Sequence, residues 1–96
     1  MSAKDSTVGV GGYKYIAKCL REYSEKHFGE IIACSQIIED IHTAYNCRRD
    51  EIIPSDYAIN PDKNRKAKMM EPRLFKRIER GRYECIGAVY TKKESA

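Results

Sequence analysis

Arg48, Arg49, Ser55, Asp56, Tyr57 and Asn60 gather guanidinium, hydroxyl, carboxylate, phenol and amide groups into one short stretch of the chain. These are the groups that read nucleic acid. An arginine can fork onto guanine or clamp a phosphate, a serine can donate to either, and an asparagine can read adenine or cap a helix. Asp56 suits an orienting role, because a bare carboxylate near phosphates is repelled unless it pairs with an arginine or a cytosine amine. Tyr57 can offer its phenol to phosphate or its ring to a base. Farther along lie Lys63, Arg65, Lys66 and Lys68, and then Arg80 and Arg82 on either side of Gly81. Clustered cations of this kind gain from the counterions that a phosphate backbone releases.

The charge is unevenly distributed. Residues 1–60 hold seven Lys/Arg against nine Asp/Glu, whereas residues 61–82 hold nine against three. An acidic scaffold with one basic strip is what a phosphate-binding surface needs, although a solvated basic loop has the same composition.

Groups for catalysis are missing from the pattern. Cys19, Cys34, Cys47 and Cys85 form no C-x-x-C pair, and His27 and His42 have neither metal-ligand spacing nor an adjacent nucleophile. Pro61-Asp62-Lys63 resembles the acid and lysine of metal-dependent nucleases, but no second carboxylate on a strand accompanies it. Gly9-Val10-Gly11-Gly12 follows no strand, so it is not a phosphate loop. No catalytic residue, metal or cofactor is expected.

Ninety-six residues are enough for one core. No apolar run has the length of a membrane span, and the N-terminus lacks the apolar segment of a signal peptide, so a cytoplasmic protein with reduced thiols is expected. Residues 1–12 are glycine-rich and aperiodic and read as a flexible arm; residues 13–90 are expected to form the domain, and 91–96 a tail. Tyr13, Ile16, Cys19, Leu20, Tyr23 and His27 recur at helical spacing, with Gly29 as the stop. Glu30–Ala33 can form a short strand. Ser35 is placed to cap a second helix lined by Ile37, Ile38, Ile41 and Tyr45 and closed by Asn46. A third, short helix is expected over 50–59, with Asp50 as its cap and Pro54 in its first turn, the proline making its start uncertain. Leu74–Glu79 and Arg82–Gly87 flank Arg80-Gly81 as a β-hairpin; Phe75, Ile78, Tyr83 and Cys85 are expected in the core.

Three helices followed by a hairpin give an α+β chain with the layout of a winged helix-turn-helix, in which the helix over 50–59 would enter the major groove and the hairpin would be the wing. Ile53-Pro54-Ser55-Asp56-Tyr57-Ala58-Ile59-Asn60, Leu74-Phe75 and Arg80-Gly81-Arg82-Tyr83-Glu84-Cys85-Ile86-Gly87 resemble a bacterial and phage winged-helix module that occurs alone or beside HNH-type restriction nucleases. The resemblance covers about residues 13–90. It implies DNA binding, with Ser55, Asp56, Tyr57, Asn60 and Arg82 carried over as binding residues and no nuclease activity. The expected partner is double-stranded DNA, bound by a small regulator or a defence or counter-defence module; the sequence does not set the oligomeric state, and a homodimer is one option that would supply a second half-site. The alternative is a protein-interaction module, such as a small phage-type inhibitor that meets an acidic protein partner with its basic strip. RNA binding is a third option, without a recognisable motif to support it. No membrane contact is expected.

Overall fold

Ile16, Cys19, Leu20 and Tyr23 fall on one face of a 3.6-residue period, and all four are buried along α1 (Tyr13–Lys26) in a computed structural model that describes residues 9–61, 67–68 and 70–90. Helix α1 starts at Gly12, which has a φ of 108° and no side-chain cap of its own. The Glu51 carboxylate fastens this start from outside the helix, accepting the Gly12 N–H at 2.9 Å. Tyr13, expected on the core face, is exposed because the helix begins at the domain margin. The chain then passes Gly29, at φ 86°, into β1 (Ile31–Ala33) and α2 (Cys34–Tyr45). Helix α2 is capped by Ala33 rather than by Ser35, which lies inside its first turn, and it ends on Asn46 in the left-handed conformation at φ 56°.

The expected third helix does not form as an α-helix. Its residues instead make two 3-10 turns, Arg49–Glu51 and Pro54–Tyr57, separated by extended Ile52 and Ile53. Pro54 accounts for the break, since its ring excludes the helical region for Ile53, which sits at φ −124° and ψ 88°.

Strands β2 (Arg73–Glu79) and β3 (Arg82–Val89) form the hairpin about Arg80-Gly81, with Gly81 at φ 78°. The sheet order is β1-β3-β2, antiparallel throughout, with Ile32 opposite Tyr83 and Phe75 opposite Cys85. Two irregularities break the hairpin ladder, one between Arg73 and Phe75 and one between Arg77 and Glu79. At the first, the Gly87 N–H turns away to the Ser24 hydroxyl at 3.0 Å, and that hydroxyl donates to the Leu74 carbonyl at 2.6 Å. Ser24 is fully buried, so this pair of bonds fastens α1 to both strands where strand pairing lapses.

The core lies between the helices and one sheet face. It joins the α1 residues to Ile37, Ile41, Cys47, Ile52, Leu74, Phe75, Tyr83 and Cys85, with the Phe75 and Tyr83 rings edge to face at 6.1 Å. Ile78, expected in this core, is exposed at the second irregularity. Of the twelve residues expected to form an arm, Gly9–Gly12 are held down. Val10 bridges Cys47 in parallel, its N–H reaching the Asn46 carbonyl at 2.6 Å and its carbonyl taking the Arg48 N–H at 3.0 Å.

Candidate nucleic-acid interface

The hairpin turn does not project freely. The Gly81 carbonyl accepts the Cys34 N–H at 2.8 Å, which docks the turn on the first residue of α2. No side chain caps that helix end and no acidic residue lies in its first turn, so the positive end of the helix dipole is left for an anion. Exposed Arg80 and Arg82 stand at the same corner, with Arg82 held by Glu79 at 3.2 Å in a solvent-facing pair. Such a pair is weak and can be exchanged for a phosphate. Lys76 is also exposed on β2.

Asn60 brings the basic stretch to this hairpin. Its side-chain amide donates to the Arg77 carbonyl at 2.9 Å and its side-chain oxygen accepts the Arg77 N–H at 2.8 Å, a two-bond clasp that copies a strand pairing. Together with the Ala58 bridge to Phe75 and the Ile59 N–H on the Phe75 carbonyl, this clasp lays 58–60 along the outer edge of β2. The start of the basic stretch is therefore set beside the distal half of the hairpin. Lys63, Arg65 and Lys66 lie outside the described residues. Where the chain is described again, Lys68 is exposed and its backbone N–H donates to the Asp56 carboxylate at 3.0 Å.

The other expected binding residues have structural work. Ser55, Asp56 and Tyr57 are buried, at 6%, 8% and 4% exposure. Burial pushes the Tyr57 phenol upward from its ordinary range, and the neighbouring Asp56 charge adds to this. The Asp56 carbonyl takes the Met70 N–H at 2.8 Å and, with the Ala58 carbonyl, faces the buried Arg73 guanidinium at 3.4 Å. Arg73 also pairs with Glu71 at 2.9 Å. Arg49 is engaged by Glu39 through contacts of 2.7 and 3.2 Å, which hold its guanidinium still more firmly protonated. Arg48 pairs with Asp50 at 2.9 Å and Glu51 at 3.4 Å, and its Nε is buried without an acceptor. The residues brought together at the surface are thus Arg80, Arg82 and the start of α2, with exposed Lys76 farther along β2 opposite Glu84; Lys76 and the helix end were not among the expected binding groups. The alternation of β2 and the acid-free start of α2 were the signals for them.

A second constellation lies at the far end of the basic loop. Tyr13, Ile53, Asp56, Tyr57, Lys68 and Met70 line most of a cavity of about 490 Å³ between the start of α1, the 3-10 turns and the returning loop. Among the described residues there is no cluster of His, Cys, Asp or Glu that could hold a metal ion, and no helix is long and apolar enough to cross a membrane.

No curated protein and no solved structure matches the chain. A family model described as "Domain of unknown function (DUF7225)" matches residues 10–93, which takes in both helices, the 3-10 turns and the whole sheet. The chain therefore belongs to the DUF7225 family.

Proposed function

We propose that this chain binds duplex DNA along its phosphate backbone, using the hairpin turn, the start of α2 and the basic loop beside them. The docking of Gly81 on Cys34 carries the reading, because it unites Arg80 and Arg82 with a helix N-terminus that has no side-chain cap. Lys76 and Lys68 extend the same surface, as do Lys63, Arg65 and Lys66 by their place in the sequence. In this reading the fold is a winged-helix variant. The element order and the β1-β3-β2 sheet support it, with the recognition helix reduced to two 3-10 turns. Groove reading then passes from that segment to the hairpin and loop, and phosphate contacts supply most of the affinity. A role as a small regulator or as the recognition module of a restriction-associated system fits the resemblance of the Ile53–Asn60 and Arg80–Gly87 motifs.

The test is retention of a randomised duplex library by the purified protein at two salt concentrations, with sequencing of the retained fraction. Seven cations on phosphate give a log–log salt slope of about −6. An enriched motif would identify sequence-specific readout, and salt-sensitive retention without one a backbone or shape binder. No retention at either salt, or an Arg80→Glu/Arg82→Glu variant binding as wild type, would reject the reading.

One observation favours a protein partner instead. Phe28 is 70% exposed and leans on Gly87, where a methyl group would come within 3.3 Å of its ring. An aromatic held out by the backbone beside exposed Ile31 is the kind of anchor on which protein interfaces depend. Phe28→Ala would leave duplex affinity intact and would weaken only a protein complex.

A further inference from the structure

We infer that the cavity beside Lys68 receives a single nucleobase swung out of the bound strand, and that it favours guanine. The inference rests on the DNA-binding reading and adds a base-specific site to it.

The basic loop starts at the hairpin, on the Asn60–Arg77 clasp, and ends at the cavity, where Asp56 accepts the Lys68 N–H at 3.0 Å and the Met70 N–H is taken by the Asp56 carbonyl at 2.8 Å. The two described ends of the basic stretch therefore mark the hairpin and the cavity, and exposed Lys68, which lines the cavity, offers a cation to the phosphate of a base seated there. The volume of about 490 Å³ falls in the range of small-ligand sites and exceeds the needs of one base. The wall has the composition of a base pocket: Tyr13 and Tyr57 offer aromatic surface, and Ile53 and Met70 offer apolar contact. Asp56 offers an acceptor.

The charges on the wall favour a neutral ligand with N–H donors over an anion. Asp50 and Glu51 also line the cavity but are engaged by Arg48, at 2.9 and 3.4 Å. Asp56 remains as the acceptor against the opposing charge of Lys68: its Oδ1 takes the Lys68 N–H, and a carboxylate oxygen can accept more than one donor. Guanine alone among the bases presents two adjacent parallel N–H donors, the arrangement a carboxylate accepts best. Its phosphate stays outside, on exposed Lys68, so the acidic wall does not oppose binding.

The test compares a duplex carrying one guanine opposite an abasic site with the same duplex fully paired, by fluorescence anisotropy at fixed salt. Extrusion costs little at the abasic site, so the wild-type protein should prefer that duplex by about tenfold. Tyr13→Ala, a change at an exposed position that spares the core, should abolish the preference and leave affinity for the paired duplex unchanged. Asp56→Asn, which keeps an acceptor for the Lys68 N–H, should shift the preference away from guanine. Equal binding of the two duplexes would overturn the inference while leaving the DNA-binding reading in place. If neither duplex binds, a guanosine titration followed by NMR decides: shifts at Tyr13, Ile53 and Met70 would uphold the pocket without the duplex, and their absence would overturn it too.

Discussion

Replacing Asn60 with alanine separates a structural clasp from a base-reading residue. The side chain makes two bonds to one backbone unit, at 2.9 and 2.8 Å, on a residue that is itself exposed. A hydrogen bond contributes about 0.5–1.5 kcal/mol net, and solvent access keeps these two toward the lower figure, because water can partly replace the lost partner. Asn60→Ala should therefore cost about 1 kcal/mol, which in a domain of this size lowers Tm by about 4–8 °C. With the clasp gone, the segment 58–60 holds β2 only through Ala58 and Ile59, so the start of the basic loop is less well fixed. Duplexes of every sequence should weaken alike. The assays are thermal melting by circular dichroism and anisotropy titrations on several duplexes at one salt concentration. An unchanged Tm together with a selective loss for adenine-containing duplexes would refute the argument and make Asn60 a base reader.

Ser24→Ala should be more damaging. It strands a buried N–H of Gly87 and a buried carbonyl of Leu74, at about 1–3 kcal/mol per orphaned group, and a urea midpoint equal to wild type would contradict this. Arg49→Ala removes a partly exposed pair with Glu39, so it should lower Tm only slightly and leave the salt slope of DNA binding unchanged; a flattened slope would return Arg49 to the phosphate surface. Burial pushes the Cys47 thiol up to about 12 and the Cys85 thiol up to about 11. Both folded values lie above the unfolded one of about 8.5, so the unfolded chain loses these protons first. Stability from the two thiols should be complete below about pH 8.5 and fall as pH climbs toward 11, by about 1.4 kcal/mol per pH unit for each thiol. Urea midpoints at pH 7.5, 9 and 10 check the sign, and a Cys47→Ala variant should lose stability less steeply.

The long elements were legible because their signals are local. Ile16 to Tyr23 carry the helical period, Asn46 closes α2, and Arg80-Gly81 sits between two runs of strand-forming residues. Even the three-residue β1 was readable from Ile31 and Ile32 following a glycine. The 50–59 segment misled because Ser, Asp and Asn have one chemistry for two uses: groups that hydrogen-bond a base edge also hydrogen-bond backbone. The choice lay with partners distant in sequence. Asp56 finds the Lys68 N–H twelve residues on and Asn60 finds Arg77 seventeen residues on, and no periodicity carries that information. Arg48 and Arg49 look like free cations until folding brings Glu39 and Glu51 beside them. The cavity was equally hidden, since Tyr13, Ile53 and Met70 come from three separate segments. The hairpin arginines were the part of the proposed binding surface open to reading, because a tight turn leaves its flanking side chains in solvent.

The strip 58–60 along β2 also bears on how copies of this chain can meet. A sheet ordered β1-β3-β2 has two margins, and this strip occupies the one beside β2. Among the described residues no strand lies against the other side of β1, so that margin is open, yet β1 is three residues long. A foreign strand added there would find about 10 Å of ladder, too little to seed a growing ribbon. Self-association, where it occurs, is thereby directed to side-chain faces rather than to a shared sheet, so a high local concentration of the chain does not by itself invite fibrils.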